Sequence, residues 1–134
     1  MRILIVEDDF TSRLIIQRIL EEYGDCDIAV DGEEALHAFK LAHEDQKPYQ
    51  LICLDVMMPK MDGSEALKQI RENESAMGIE SLNEVKVIMT TALDDVKTVV
   101  SSYKDGATSY VVKPIDKKKL LEEVKNLRLL PQSE

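Results

Sequence analysis

The 134-residue sequence has no long hydrophobic run. Its apolar stretches, such as Leu4 to Val6 and Leu51 to Leu54, fall far short of the roughly 20 residues that span a bilayer, so no membrane span is expected. The opening MRILIV meets Glu7, Asp8 and Asp9 before an apolar signal core could develop, which predicts a cytoplasmic protein. Cysteine is scarce. Cys26 and Cys53, far apart and in apolar contexts, make neither a disulfide framework nor a metal knuckle, and are expected as buried free thiols. Positive charge is also short: 17 Lys and Arg against 26 Asp and Glu leave a net charge of −9, which opposes attraction to a phosphate backbone and argues against direct nucleic-acid binding. Internal repeats and low-complexity segments are missing. The length suits one domain with a single core and leaves no room for a second output domain.

What is present is alternation. Short β-rich runs exchange five times with segments of helical period, the pattern of a parallel sheet covered by helices on both faces. The expected strands are Ile3 to Val6, Asp27 to Val30, Leu51 to Leu54, Val85 to Met89 and Ser109 to Val112. Between them, Ile15, Ile16, Ile19, Leu20 and Tyr23 predict a first helix closed by a left-handed Gly24, and Ala35, Leu36, Phe39 and Ala42 a second, ending before Pro48. Ser64 is a candidate cap for a third helix carrying Ala66, Leu67 and Ile70, and the stretch Asn73 to Glu84, without a clear period, reads mostly as a long loop. Asp94 or Asp95 opens a fourth helix along Val96, Val99, Val100 and Tyr103, which Gly106 closes, and Leu120, Leu121, Val124 and Leu127 mark a last one. Residues 1–129 then form one domain, with a frayed tail over 130–134.

The first, third and fourth strands are almost wholly aliphatic, as buried parallel strands are, whereas Asp27 and Ser109 interrupt the second and fifth, which are expected at the edges. Right-handed crossovers around a central first strand allow the doubly wound five-stranded order 2-1-3-4-5, whose ligand crevice lies at the carboxyl ends of strands one and three. Polar groups cluster at those ends: Glu7, Asp8 and Asp9 after the first, Asp55 after the third, Thr90 and Thr91 after the fourth, Lys113 after the fifth. Singly, each is an ordinary loop residue. Gathered by one sheet edge, the carboxylates repel one another unless a cation neutralises them; an all-oxygen set suits magnesium, and a hydroxyl with an ammonium beside it matches the remaining oxygens of a phosphoryl group.

The stretches ILIVEDD, LICLDVMMPKMDG, VIMTTA and YVVKP, in that order, resemble the signature segments of response-regulator receiver domains, over residues 1 to about 129. The resemblance implies a flavodoxin-like fold and a chemotaxis-regulator-like, stand-alone switch of two-component signalling. Asp55 would accept a phosphoryl group from a sensor histidine kinase or phosphotransfer protein. Asp8 would ligate magnesium directly, Glu7 through water, and Met57 through its backbone carbonyl. Thr91 and the Ala92 amide would bind phosphoryl oxygens, and Lys113 would pair with both the phosphoryl group and Asp55. Tyr110 would act with Thr91 as a switch that reports phosphorylation to a surface of the fourth helix, fifth strand and fifth helix, where an unidentified downstream protein docks. Asp9 lies outside the acidic pair and is expected as a solvated residue or helix cap. Either isomer of the Lys113–Pro114 bond is open, cis being frequent in the family.

A receiver is a regulatory domain rather than an enzyme; it assists its own phosphorylation and dephosphorylation. The same chemistry fits a phosphorelay intermediate or phosphate sink. A small magnesium-dependent aspartyl phosphohydrolase fits less well, since that class carries a second Asp two positions after the nucleophile and Met57 stands there. A flavin module would want a phosphate-cradling loop where this chain has three acids. His37 and His43 are expected as surface histidines, and Lys117, Lys118 and Lys119 with Lys125 and Arg128 as a solvated helix face; by the resemblance, Met57 and Leu93 would be apolar groups beside the path of a hydrolytic water.

Overall fold

The aliphatic runs form the middle of a sheet. In the computed structural model, which describes residues 1–58, 60–92, 97 and 106–130, β1 (Arg2–Val6), β2 (Asp25–Ala29), β3 (Leu51–Asp55), β4 (Lys86–Thr91) and β5 (Ser109–Val112) pair in parallel in the order β2-β1-β3-β4-β5. The charged β2 and the short β5 are its edges, as Asp27 and Ser109 imply. The helices are α1 (Phe10–Leu20), α2 (Gly32–Glu44), α3 (Gly63–Ala76) and a C-terminal helix (Lys117–Asn126). No helix among the described residues is long and apolar enough to cross a membrane. Apart from Lys97 and the closing Gly106, the positions of the expected fourth helix lie outside the described residues, as does the tail from Pro131.

Successive strand residues point to opposite faces, so the sheet separates two cores. On one face Leu4, Val6, Ile52, Leu54, Val87 and Met89 pack under α2 and α3, around the fully buried Phe39. On the other, Ile3, Ile5, Leu51, Cys53, Ile88 and Val111 pack under α1 and the C-terminal helix, against Ile16, Leu20, Leu120 and Val124. Both cysteines are free; Cys53 is buried, Cys26 only half-buried, and burial pushes the two thiols up to about 12 and about 11 respectively.

Helix starts follow aspartates. Asp9, Asp31, Asp62 and Asp116 each cap a helix by accepting the amide three residues on. Ser64 is therefore not the cap of α3: Asp62 takes the Glu65 amide, and Ser64 sits inside the first turn. Gly24 is not a left-handed cap either, for α1 ends at Leu20 and Glu21 stays right-handed. A Cβ on Gly24 would stand 2.2 Å from the Met1 carbonyl oxygen, so glycine serves close approach of two chain segments. Gly106 does take the left-handed region, with φ of 104°.

The stretch Asn73 to Glu84 departs from the expected loop: α3 runs on to Ala76, and a single 3-10 turn covers Ser81–Asn83. The apolar period fails there because the inward position is a charge. Glu74, 1% exposed, pairs with Arg71 Nη1 at 2.7 Å and accepts the Val85 amide at 2.7 Å. Arg71 donates in addition to the Val85 carbonyl and, through Nε and Nη2, to the Gly106 carbonyl, which ties α3 to the start of β4 and to the approach of β5. Removing one partner of such a pair strands a charge and a buried amide. Glu74→Ala is expected to cost about 3 kcal/mol in urea unfolding, the lower end of the range for buried pairs because Arg71 keeps its carbonyl partners. A loss below about 1 kcal/mol would mean that the network carries little of the stability.

Candidate functional site

The same alternation that builds the second core delivers the functional side chains. Ile3 and Ile5 lead on that face to Glu7, Leu51 and Cys53 to Asp55, Ile88 to Thr90, and Val111 to Lys113, so the polar residues are the carboxyl-terminal continuation of four buried apolar rows. Glu7 is fully buried and Asp55 is 4% exposed, while Asp8, one residue past Glu7, stands in solvent. Carboxylate oxygens of Glu7, Asp8 and Asp55 all lie within 4.8 Å of one another. Lys113 Nζ reaches in to Glu7 Oε1 at 2.7 Å and Asp55 Oδ1 at 3.2 Å. The first contact is an ion pair without hydrogen-bond alignment; the second is a hydrogen bond.

Backbone contacts hold these residues in place. The Lys113 amide donates to the Thr91 carbonyl at 2.6 Å, and the Lys113–Pro114 peptide is cis. The Val56 amide donates to the Thr90 carbonyl, and Gly63 donates back to Val56, folding the loop after Asp55 onto the sheet edge. That loop needs glycine at 63: a Cβ there would stand 2.2 Å from the Asp55 carbonyl oxygen.

Three acids against one ammonium leave the pocket over-negative. Burial, and then the Glu7 carboxyl beside it, push the Asp55 carboxyl well above its ordinary range, although the Lys113 ammonium pulls the other way. Burial by itself would lower Lys113, but Glu7 and Asp55 outweigh it and hold the ammonium above its ordinary value. Asp9 moves down instead, because its carboxylate accepts the Ser12 amide at 2.8 Å as the α1 cap, one of the two roles expected for it. The donor set of the trio is hard, anionic oxygen with one exposed member, and it fits a divalent cation such as magnesium.

The remaining expected residues fall around this pocket. Met57 is 62% exposed on the loop after β3, its amide 3.4 Å from Asp55 Oδ1. Thr91, buried at the end of β4, donates its hydroxyl to the Ala92 carbonyl at 3.0 Å. By alternation Thr91 and the half-buried Tyr110 belong to the opposite face from Asp55, where Tyr110 packs against the α2 and α3 core beside its ladder neighbour Met89. Leu93 lies outside the described residues. His37 is exposed, whereas His43 packs edge-on against Phe39, and Lys117, Lys118 and Lys119 are exposed. Two neighbours went unassigned in the sequence. Arg13 donates to the Glu7 carbonyl at 3.2 Å and lies over the Phe10 ring, and its spacing on α1 was the only available signal. Thr90 faces the site, though the motif directs attention to Thr91.

A parallel sheet of this order with an acidic pocket and an inward lysine at its switch point defines a doubly wound α/β domain with a charged ligand crevice at the strand ends. Residues 3–125 match the family of the response regulator receiver domain. The chain is 36% identical over 127 residues to a probable transcriptional regulator, ycf27, of Cyanophora paradoxa, covering 94% of this chain and 47% of that protein, and so spans about half the length of such regulators. It is 34% identical over 122 residues to the chemotaxis protein CheY of Listeria monocytogenes, with 91% and 93% covered. Among solved structures, the complex of CheX and CheY with BeF3 and magnesium from Borrelia burgdorferi matches with a TM-score of 0.81 and 30% identity over 96% of this chain and 89% of that one. CheY4 of Vibrio cholerae matches with a TM-score of 0.78 and 26% identity, over 94% and 97%. The chain belongs to the response-regulator receiver family, the regulatory domains of two-component signalling.

The raised Asp55 carboxyl has a consequence for stability. Its folded pKa lies above the ordinary 3.8, so the stabilisation from its protonated form is present at low pH and is lost as pH rises through the raised value. In chelator, the melting temperature of Asp55→Asn relative to the native protein is expected to climb between about pH 4 and pH 8. A difference that stays flat across that window would show that the carboxylates do not strain the pocket.

Proposed function

We propose that this receiver takes a phosphoryl group on Asp55 from a sensor histidine kinase or phosphotransfer protein in the cytoplasm, over a receiver unit of residues 1–129, and passes the signal to a partner protein through its surface. The observation that carries the reading is the Lys113 ammonium held between Glu7 and Asp55, beside a third acid open to solvent. An Asp55 oxygen attacks the phosphorus of the donor, the bond from phosphorus to the donor's nitrogen breaks, and the leaving imidazole keeps the electron pair and takes a proton from solvent. Lys113 offsets charge on the transferred group and stays close to Asp55. The Thr91 hydroxyl leaves the Ala92 carbonyl to join the Ala92 amide on the phosphoryl oxygens. Asp8, Asp55 and the Met57 carbonyl would hold magnesium, Glu7 through water, and the ion would supply the positive charge that three carboxylates and a phosphoryl donor otherwise lack.

Inward movement of Thr91 vacates space on the α2 and α3 face, and Tyr110, on that same face, turns to follow it. Couplings of this kind are worth about 1 to 3 kcal/mol, enough to bias a two-state surface. The relatives are regulators of chemotaxis and of transcription, which supports a signalling role for the same site.

Incubation with acetyl phosphate and magnesium, followed by mass spectrometry, is expected to place one phosphoryl group on Asp55. Asp55→Asn and added chelator should each abolish it, and Asp8→Ala should lose most of it. Asp9→Ala should keep it while losing about 1 kcal/mol of stability with its helix cap. Full labelling of Asp55→Asn would overturn the acceptor, and equal losses in the Asp8 and Asp9 variants would overturn the assignment of the acidic pair.

A further inference from the structure

Among the described residues two buried side-chain polar atoms have no hydrogen-bond partner, Glu7 Oε1 and Thr90 Oγ1. Both belong to this site. Thr90 is 1% exposed and is the ladder neighbour of Asp55 across β3 and β4. Its row begins with Ile88 in the same core as Cys53 and Val111, so its side chain shares the face of Asp55 and Lys113. An unsatisfied buried hydroxyl opposes folding, and a core threonine in this state calls for a reason.

The strand order supplies one. Lys113 leaves β5, yet its ammonium meets Asp55 on β3 and Glu7 after β1. Strands lie about 4.8 Å apart, so that side chain crosses the end of β4, and Thr90 is the residue of β4 on the crossed face. An ammonium carries three N–H donors. One goes to Asp55 Oδ1, and the contact with Glu7 lacks alignment. Glu7 and Thr90 thus flank Asp55, at the ends of the strands to either side of β3.

We propose that Thr90 is a positioning residue: its hydroxyl accepts an N–H of Lys113 when the ammonium turns from Glu7 toward a phosphoryl group on Asp55. This rests on Asp55 being the acceptor. In the resting protein the hydroxyl waits unpaired; in the phosphorylated one it fixes where the ammonium points. A hydroxyl suits the task because it accepts without adding a fourth negative charge.

Thr90→Val keeps the shape and removes the hydroxyl, and Thr90→Ser restores it. Without donor or magnesium, Thr90→Val is expected to melt at the native temperature or above, because an unsatisfied group is gone. With acetyl phosphate and magnesium, its maximal labelling rate should fall about tenfold, the order expected for one hydrogen bond to a charged group, at unchanged half-saturating donor. Thr90→Ser should recover the rate. The Lys113 ammonium resonance, followed by nitrogen NMR, should move on phosphorylation in the native protein and move less in Thr90→Val. Labelling of Thr90→Val at the native rate, with Asp55 labelled in both, would overturn the proposal while leaving the acceptor intact. A lower melting temperature for the resting Thr90→Val protein would also overturn it, since the hydroxyl would then already be bonded. Native protein that takes no label on Asp55 would remove the acceptor reading itself.

Discussion

Repulsion between the buried Glu7 and Asp55 carboxylates, held in check by one lysine, governs this molecule. Burial and the Glu7 carboxyl beside it push the Asp55 carboxyl up, and Lys113 reaches across from the β5 edge to both acids. That balance leaves negative charge uncompensated in the resting state. An excess of buried negative charge at the switch point of the sheet is the feature on which the proposed function rests.

The rest of the fold serves that balance. Four parallel rows of aliphatic side chains end in Glu7, Asp55, Thr90 and Lys113, so core packing and site geometry are one structure read at different heights. Gly63 lets the following helix close onto the Asp55 carbonyl, and Arg71 with Glu74 pins α3 to the approach of β4 and β5. The opposite face carries Tyr110 against the α2 and α3 core and, by alternation along β4, Thr91, so both lie across the sheet from the acid pocket. The two faces meet at the strand ends, where the consecutive residues Thr90 and Thr91 of β4 belong one to each.

Much of this was legible beforehand. Strand order, edge strands and the gathering of Glu7, Asp8, Asp55 and Lys113 followed from hydrophobic runs and their punctuation, because period and burial are coupled in a parallel sheet. Misreadings arose where one residue served two masters. Glu74 broke the helical period because a buried ion pair replaced an apolar contact, and Gly24 signalled a cap when its purpose was clearance from Met1. Ser64 is a good capping residue that lost to Asp62 two positions earlier.

The sequence by itself determined the five strands, the sheet order and the family, since each depends on local pattern and on motifs carried in single short segments. Only the tertiary structure decided which hydroxyl of the Thr90 and Thr91 pair faces the acids, that Glu7 is buried while Asp8 is exposed, and that Lys113 lies across β4. Those facts depend on pleat phase and on lateral distance between strands remote in the chain, and adjacent residues that look equivalent in sequence are sent by the pleat to opposite sides of the sheet.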